Sequence, residues 1–182
     1  MKHLIGILFM VVSANAAAAV FNVVVAEKSN ITFVSKQMGV AVTGNFSKFT
    51  SQINFDPAKP QSAHAQIDVA LASINAGSSD ANDEVKGKQW FDVKSYPSAS
   101  FISSAITPLG GNRYQASGKL IIKGKSRAVL VPFNVSRAGS LLVLDGAIPV
   151  LRSQYGIGAG EWADPSVVAD EVQIRFHLTL KQ

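Results

Sequence analysis

Few side chains in this sequence have the types and spacing that chemistry requires. The histidines are His3, His64 and His177, and no two of them share a helical or strand spacing that would bring them to one metal ion. The chain has no cysteine, which excludes thiolate ligands, thiol catalysis and disulfide bonds. We therefore predict no metal site and no resident cofactor.

Motifs for catalysis are also weak. Serines are frequent, but no Gly-x-Ser-x-Gly segment is present to hold a serine nucleophile. Asp80, Asp83 and Glu84 cluster at the start of a predicted helix, where capping and solvation explain them better than acid–base catalysis. The glycines of residues 156–160 lack the spacing of a nucleotide-binding loop and predict a flexible loop with positive φ angles. We predict no catalytic residues and expect that the protein is not an enzyme.

The elements that must position any site are mostly strands, because apolar and polar residues alternate with a period of two along most of the chain. One strongly polar helix is predicted over 80–89, capped by Ser79 or Asp80, lying across the outside or the mouth of the sheet. The long extended stretch over 40–55 is predicted to break at Gly44-Asn45, in a bulge or a sharp bend, and Pro132 predicts an edge strand or a break in pairing. The strands are predicted over 21–25, 31–34, 40–55, 65–71, 101–106, 114–123, 129–135, 141–150 and 172–180.

Many short strands, hairpin turns and one helix predict an all-β fold, an antiparallel barrel or sandwich. One apolar face per strand predicts a single apolar interior. Small residues occupy many strand positions, and aromatic residues make up only 8% of the chain. The interior is therefore either flattened and filled by its own side chains, or hollow and filled by an apolar ligand. The residues alone leave both possibilities open.

An aromatic stretch near the middle of the chain joins the predicted helix to the next strand. It contains Trp90, Phe91 and Tyr96, and Pro97 forces the chain out of helical geometry. These rings either pack as a joint in the core or close one end of a ligand cavity.

The first residues predict export. A basic start, an apolar run over 4–12 and small residues up to Ala19 are typical of a secretory signal peptide, with cleavage approximately at residue 19. Residues 20–182 then form a single domain, which we expect in the bacterial periplasm, and no later segment resembles a membrane span. The net charge is +5 with basic residues spread singly, so nucleic acid is not an expected partner.

An ordered set of segments resembles the YceI-like family of exported bacterial proteins. The segment that carries most of the resemblance is Trp90-Phe91-Asp92-Val93 followed by Tyr96-Pro97 and Phe101, and 118–127 is the next. Ser126 replaces a usual threonine, and 153–155 replaces a usual acidic-aromatic pair. The other matching segments are 29–33, 44–46 with Phe49, 53–56, 70–77, Arg152 with 155–158, and 170–172.

The resemblance implies a lipocalin-like, extended antiparallel β-barrel with a long apolar tunnel. It also implies binding of a polyisoprenoid or another amphiphilic lipid, such as an isoprenoid quinone or a prenyl phosphate, for transport, storage or scavenging. A long apolar tail gains about 0.8 kcal/mol per buried CH₂ without needing a particular hydrogen-bonding residue. The alternatives are a ligand-free structural or partner-binding envelope protein and an enzyme acting on a lipid, and a homodimer is left open.

The apolar strand faces supply the candidate contacts for the lipid tail. Trp90, Phe91 and Trp162 are candidates for the mouth of the tunnel, and Lys125 and Arg152 are candidates for contacts with an anionic head group, although both cations could simply be exposed. The candidate tail contacts are Ile67, Val69, Leu71, Phe101, Leu120, Ile122, Val129, Val131, Phe133, Val172, Ile174 and Phe176.

Overall fold

Antiparallel strands form most of the regular structure in residues 19–182, the part of the chain that the computed structural model describes. The predicted signal peptide over 1–19 lies outside these residues except for Ala19. The strands are β1 (Val23–Val24), β2 (Asn30–Gln37), β3 (Val40–Phe46), β4 (Phe49–Asn54), β5 (His64–Ala70), β6 (Ile74–Asn75), β7 (Ser98–Gly110), β8 (Arg113–Ile122), β9 (Lys125–Ala138), β10 (Leu141–Leu151) and β11 (Glu171–Lys181).

These strands form one curled sheet in the order β4-β5-β7-β8-β9-β10-β11-β2-β3-β6, and β1 pairs with β11. Every pairing is antiparallel, so the predicted all-β, lipocalin-like class is confirmed. Within residues 19–182 the two end strands, β4 and β6, do not pair with each other. The sheet is therefore a half-barrel, with one concave apolar face.

One end of the half-barrel is tied together by the N-terminal segment. Phe21 exchanges backbone hydrogen bonds with Phe55 just after β4, and the N–H of Asn22 donates to the carbonyl of Lys181 on β11. Phe55 also lies against Tyr114 and Phe133, with ring centroids 5.3 and 6.2 Å away. We call this the clipped end, and its side chains fill the interior.

The alternation along β11 shows where this packed region stops. Leu178 and Leu180 are 1% and 0% exposed, whereas Val172, Ile174 and Phe176 on the same face are only half-buried. An apolar inner face that is half-buried lies beside empty space. The interior is therefore packed at the clipped end and hollow toward the other end.

Two irregularities differ in detail from the sequence-based expectation. The extended stretch over 40–55 breaks at residues 47–48, between β3 and β4, while Gly44 remains inside β3. Pro132 lies in β9, which has β8 and β10 on its two sides, so it is not on an edge strand. The predicted break in pairing is present there, because the β9–β10 ladder ends at Phe133 and Gly146. The first half of β9, before Phe133, and the second half of β10, after Gly146, do not pair with each other, which leaves a split in the sheet.

The predicted helix is present but short. Helix α1 spans Ser79–Lys86, and its cap is Ser78 rather than Ser79 or Asp80: the Ser78 Oγ accepts a hydrogen bond from the N–H of Ala81 at 3.2 Å. Gly87 ends the helix and donates to the carbonyl of Glu84 at 2.9 Å. The described residues contain no helix that is long and apolar enough to cross a bilayer.

Arg152, directly after β10, organises the long loop that leads to β11. Its side chain is 4% exposed and donates five hydrogen bonds, each to a backbone carbonyl. None of the carboxylates in residues 19–182 forms an ion pair with it. The expectation of an exposed cation was wrong at this position, because carbonyl groups replace water around the guanidinium. The five acceptors are Ile157, Gly158, Trp162, Val168 and Ala169, at 2.6–3.1 Å.

The same loop fills the split between β9 and β10. Tyr155 is 2% exposed, and Arg127 on β9 donates to the carbonyl of Gln154 at 3.3 Å. The Nζ of Lys123 donates to the carbonyl of Gly156 at 3.0 Å, and partial burial lowers the pKa of Lys123. Cations from β9, from the turn between β8 and β9 and from the loop itself therefore fix the loop over the opening in the sheet.

We expect Arg152→Lys to lower the free energy of unfolding by about 2–4 kcal/mol, because one ammonium group cannot reach five carbonyls that a planar guanidinium satisfies. Urea unfolding followed by circular dichroism measures the loss. The control is Arg127→Lys, which removes one exposed hydrogen bond and should cost less than about 0.5 kcal/mol. Equal losses in the two variants would contradict the role assigned to Arg152.

Candidate functional site

The concave face of the half-barrel encloses a cavity of about 600 Å³. Every strand except β1 contributes to its lining, together with α1 and the loop after β10. This volume is within the range of small-molecule sites in proteins. The polar lining residues are few: Ser35, Gln37, Asp80, Glu84, Ser100 and Arg152.

Three pairs of glycine and phenylalanine shape the wall of this cavity. A Cβ added at Gly44 would overlap the ring of Phe33, and one added at Gly146 would overlap the ring of Phe176. At Gly118 an added Cβ would lie 2.9 Å from the ring of Phe101. Each ring covers a position that has no side chain, so it lies close against the sheet.

The helix end of the cavity, opposite the clipped end, is aromatic. Ala81 and Val85 of α1 line it, together with Trp90, Phe91 and Trp162. The ring centroids of Trp90 and Trp162 are 5.6 Å apart at an interplanar angle of 53°. The guanidinium of Arg152 lies 5.8 Å from the centroid of the Trp90 ring.

The Trp90 side chain is also fixed by a polar contact, since its Nε1 donates to the Glu84 Oε1 at 3.1 Å. Backbone hydrogen bonds between residues close in sequence fix the conformation of the loop 87–96. One example is the bond from the N–H of Phe91 to the carbonyl of Val85, at 3.1 Å. The aromatic stretch is therefore both a helix-to-strand joint and part of a cavity wall, which were the two alternatives for it.

Nearly all of the predicted tail-contact and mouth positions lie on the cavity wall. Val129 is the exception. It lies on the N-terminal side of Pro132, in the part of β9 that does not pair with β10, and it packs against the hydrophobic core. Contact of these residues with a lipid stays a prediction. The positions on the wall are Ile67, Val69, Leu71, Trp90, Phe91, Phe101, Leu120, Ile122, Val131, Phe133, Trp162, Val172, Ile174 and Phe176.

The two predicted head-group cations are placed differently. Lys125 is exposed and does not line the cavity. Arg152 does line it, but its N–H groups are all engaged by backbone carbonyls, which leaves none to donate to a ligand. Neither Lys125 nor Arg152 is therefore placed to donate a hydrogen bond into the cavity.

Sequence reasoning missed the contribution of β2 and β3. Phe33, Val42 and Phe46 all line the cavity, and the Phe33 and Phe46 rings are 5.7 Å apart. The alternation of the apolar residues Ile31 and Phe33 along β2 could have indicated that this strand has one face toward the interior. The helix residues Ala81 and Val85 were harder to find, because they interrupt a segment that is otherwise polar.

Solved structures contain the same fold. The chain is 51% identical to BcnA of Burkholderia cenocepacia, with a TM-score of 0.84, over 86% of this chain and 98% of that one. A polyisoprenoid binding domain from Saccharophagus degradans is 19% identical, with a TM-score of 0.68, over 91% of this chain and 99% of that one. At this lower identity the similarity shows the fold alone.

Sequence comparison agrees with the structural neighbours. A UPF0312 protein of Vibrio cholerae is 23% identical over 175 residues, which are 88% of this chain and 90% of that protein. The model of the YceI-like domain matches residues 23–180. Because this match covers nearly all of the described residues, the protein belongs to the YceI-like family.

Proposed function

We propose that this protein binds a polyisoprenoid or a similar amphiphilic lipid in the cavity of the half-barrel. The observation that carries the proposal is the hollow interior, a space of about 600 Å³ lined almost entirely by apolar side chains. The Saccharophagus degradans neighbour, described as a polyisoprenoid binding domain, supports the same class of ligand. The proposed role is binding of a lipid rather than its chemical conversion.

The energetics favour a long apolar tail. Burial of apolar surface contributes about 25 cal/mol per Å², and each buried CH₂ contributes about 0.8 kcal/mol. The half-buried side chains of Ile67, Val69, Ile174 and Phe176 supply apolar surface that a tail would remove from water. Because such contacts are not directional, the wall needs shape and apolar character rather than hydrogen-bonding groups.

The proposal places this binding in the periplasm, where the protein carries, stores or scavenges the lipid. Its basis is the sequence of residues 1–19, which is typical of a cleaved signal peptide, with residues 20–182 as a single domain. An isoprenoid quinone and a prenyl phosphate are the two head-group chemistries to compare. No group of metal-binding side chains is found in residues 19–182, so the lipid is the one ligand proposed.

We expect protein purified from its native periplasm to carry one prenyl lipid or isoprenoid quinone per chain, because the wall of the cavity is almost entirely apolar. Native mass spectrometry gives the stoichiometry, and solvent extraction followed by lipid analysis identifies the molecule. A clean protein mass that stays unchanged after incubation with prenyl lipids would favour the ligand-free, partner-binding alternative.

Cell fractionation tests the proposed export. The chain recovered from the periplasmic fraction should begin between Ala17 and Val20, as measured by the intact mass of the delipidated protein. A full-length chain confined to the cytoplasmic fraction would contradict the signal-peptide assignment, while leaving lipid binding to be judged by its own experiment.

Adjacent positions on β9 offer a matched test of the cavity. Val131 lines the cavity and is 7% exposed, whereas Leu130 is on the outer face and is 60% exposed. We expect Val131→Trp to reduce the amount of bound lipid about tenfold, because the added ring occupies the space of the tail, and Leu130→Trp to leave it unchanged.

Lipid loading of both variants is measured by native mass spectrometry after their fold is checked by circular dichroism. If Val131→Trp does not fold, Val69→Trp replaces it, since Val69 lines the cavity and is only half-buried. Equal loading of a folded cavity variant and Leu130→Trp would mean that the lipid binds elsewhere.

A further inference from the structure

The two most exposed large apolar side chains in residues 19–182 lie together at one hairpin. Met38 is 73% exposed and Val40 is 69% exposed, and Gly39 separates them in the turn between β2 and β3. We call residues 38–40 the β2–β3 tip. A single exposed apolar residue is ordinary, whereas two of them at a turn, where polar residues are favoured, are not.

The methionine at this turn does not serve the conformation of the turn. Met38 and Gly39 have φ angles of 47° and 81°, both positive, as in a type I′ turn. Asn-Gly is the favoured pair there, and a long side chain at positive φ is uncommon. The corresponding pair between β8 and β9 is Lys123-Gly124, whose lysine donates to two backbone carbonyls, while most of the Met38 side chain is exposed.

The β2–β3 tip is held firmly at the helix end of the cavity. The N–H of Met38 donates to the carbonyl of Val167 at 2.8 Å, and the N–H of Ala169 donates to the carbonyl of Lys36 at 2.9 Å. Both partners belong to the loop after β10, which Arg152 organises through its own bond to Ala169. The loop therefore presents the exposed side chains in a fixed position.

The cavity opens at this hairpin. Gln37 and Val42 both line the cavity, and Gln37 is exposed as well. Val40 is the cross-strand partner of Gln37 and lies two residues before Val42, so its side chain is on the cavity face of the sheet. Val40 itself is outside the lining, at the rim. An apolar path therefore leads from Met38 at the turn, past Val40, to Val42 in the interior.

We propose that the β2–β3 tip inserts Met38 and Val40 into the surface layer of a lipid bilayer and so sets the mouth of the cavity against the membrane. The inference rests on the proposed function for the identity of the cargo, and it adds the route by which a lipid enters. A tail that moves along Val40 and Val42 passes from the bilayer to the cavity with little exposure to water.

A bilayer fits the β2–β3 tip better than a protein partner does. A stable protein–protein interface buries about 800 Å² on each side, and two side chains at a hairpin tip supply much less. Acyl chains are fluid and accept a small apolar tip without a complementary surface. Lys36 is exposed two residues before Met38, on the opposite face from Gln37, where its long side chain can reach lipid phosphates.

The charges near the mouth indicate that this contact is mainly apolar. Asp80 and Glu84 line the cavity at the same end, and their carboxylates offset the attraction of Lys36 for anionic head groups. Salt screens exposed charges but does not weaken the burial of apolar side chains. Binding to vesicles should therefore depend on Met38 and Val40 and change little with ionic strength.

The test compares a tip variant with an equally conservative control in the mature protein. The tip variant combines Met38→Asn, which creates the favoured Asn-Gly turn, with Val40→Thr, which keeps the β-branched shape. Delipidated protein is sedimented with vesicles of phosphatidylcholine and phosphatidylethanolamine. We expect the tip variant to bind about tenfold more weakly at low and at high salt. Leu130→Thr, on the outer face of β9, should bind as the wild type does.

A fluorescent label reports the insertion directly. Because the chain contains no cysteine, Val40→Cys and Leu130→Cys each give one labelling site for a polarity-sensitive fluorophore. On addition of vesicles, the label at position 40 should shift to shorter wavelength and be quenched by spin-labelled lipid, and the label at position 130 should show neither change.

Loading of the cavity is measured separately, by native mass spectrometry after delipidated protein is mixed with a polyprenyl hydrocarbon in detergent. The tip variant should load as the wild type does, because neither altered residue lines the cavity. A tip variant that loses loading as well would make the tip part of the cavity wall and would contradict the inference.

Three other results would overturn the inference and leave lipid binding in the cavity standing. They are wild-type protein that does not bind vesicles, equal binding of vesicles by the tip variant and the wild type, and a dimer in sedimentation velocity that the tip variant alone loses. If the wild type binds vesicles but does not load the hydrocarbon, the proposed function fails while the membrane contact stands.

Discussion

A single buried guanidinium holds together the part of the molecule where the cavity meets the rest of the chain. Arg152 draws five carbonyls of the loop toward one point, and without it these groups would be buried unpaired. The loop in turn fills the split that opens where β9 and β10 separate near Pro132. The position of Trp162 beside Trp90, and so the helix end of the cavity, depends on this one interaction.

The wall of the cavity depends on a different constraint, which is the absence of a side chain at three strand positions. Gly44, Gly118 and Gly146 each lie beneath a phenylalanine ring, so the rings lie against the sheet instead of crossing the interior. Larger residues there would collide with the rings and with neighbouring backbone carbonyls. Because the phenylalanine rings lie over glycines, they line the cavity and do not fill it.

Much of this arrangement could be predicted from periodicity and turn chemistry. The alternation along β11 and the aromatic stretch after α1 identified the strand face and the cavity wall, because both signals are local. The burial of Arg152 could not be predicted, since it requires carbonyls from two segments of the loop to converge in space, which no spacing in the sequence encodes. Gly44 was mistaken for the break in the strand, because a glycine that marks a bend and one that makes room for a ring look the same in a sequence.

The unpaired end strands of the sheet have a mechanical consequence. In a closed barrel, the number of strands and their shear fix the circumference, so the girth of the bore cannot change without breaking hydrogen bonds. In this sheet, β4 and β6 do not bond to each other within residues 19–182, so strand number and shear alone do not fix the circumference, although the hydrogen bonds between Phe21 and Phe55 limit its change at the clipped end. Small changes of twist, shared among many strands, alter the radius of curvature while every ladder stays intact. Away from the clipped end, the diameter of the bore therefore depends on the curvature of the sheet, which the twist of its strands sets.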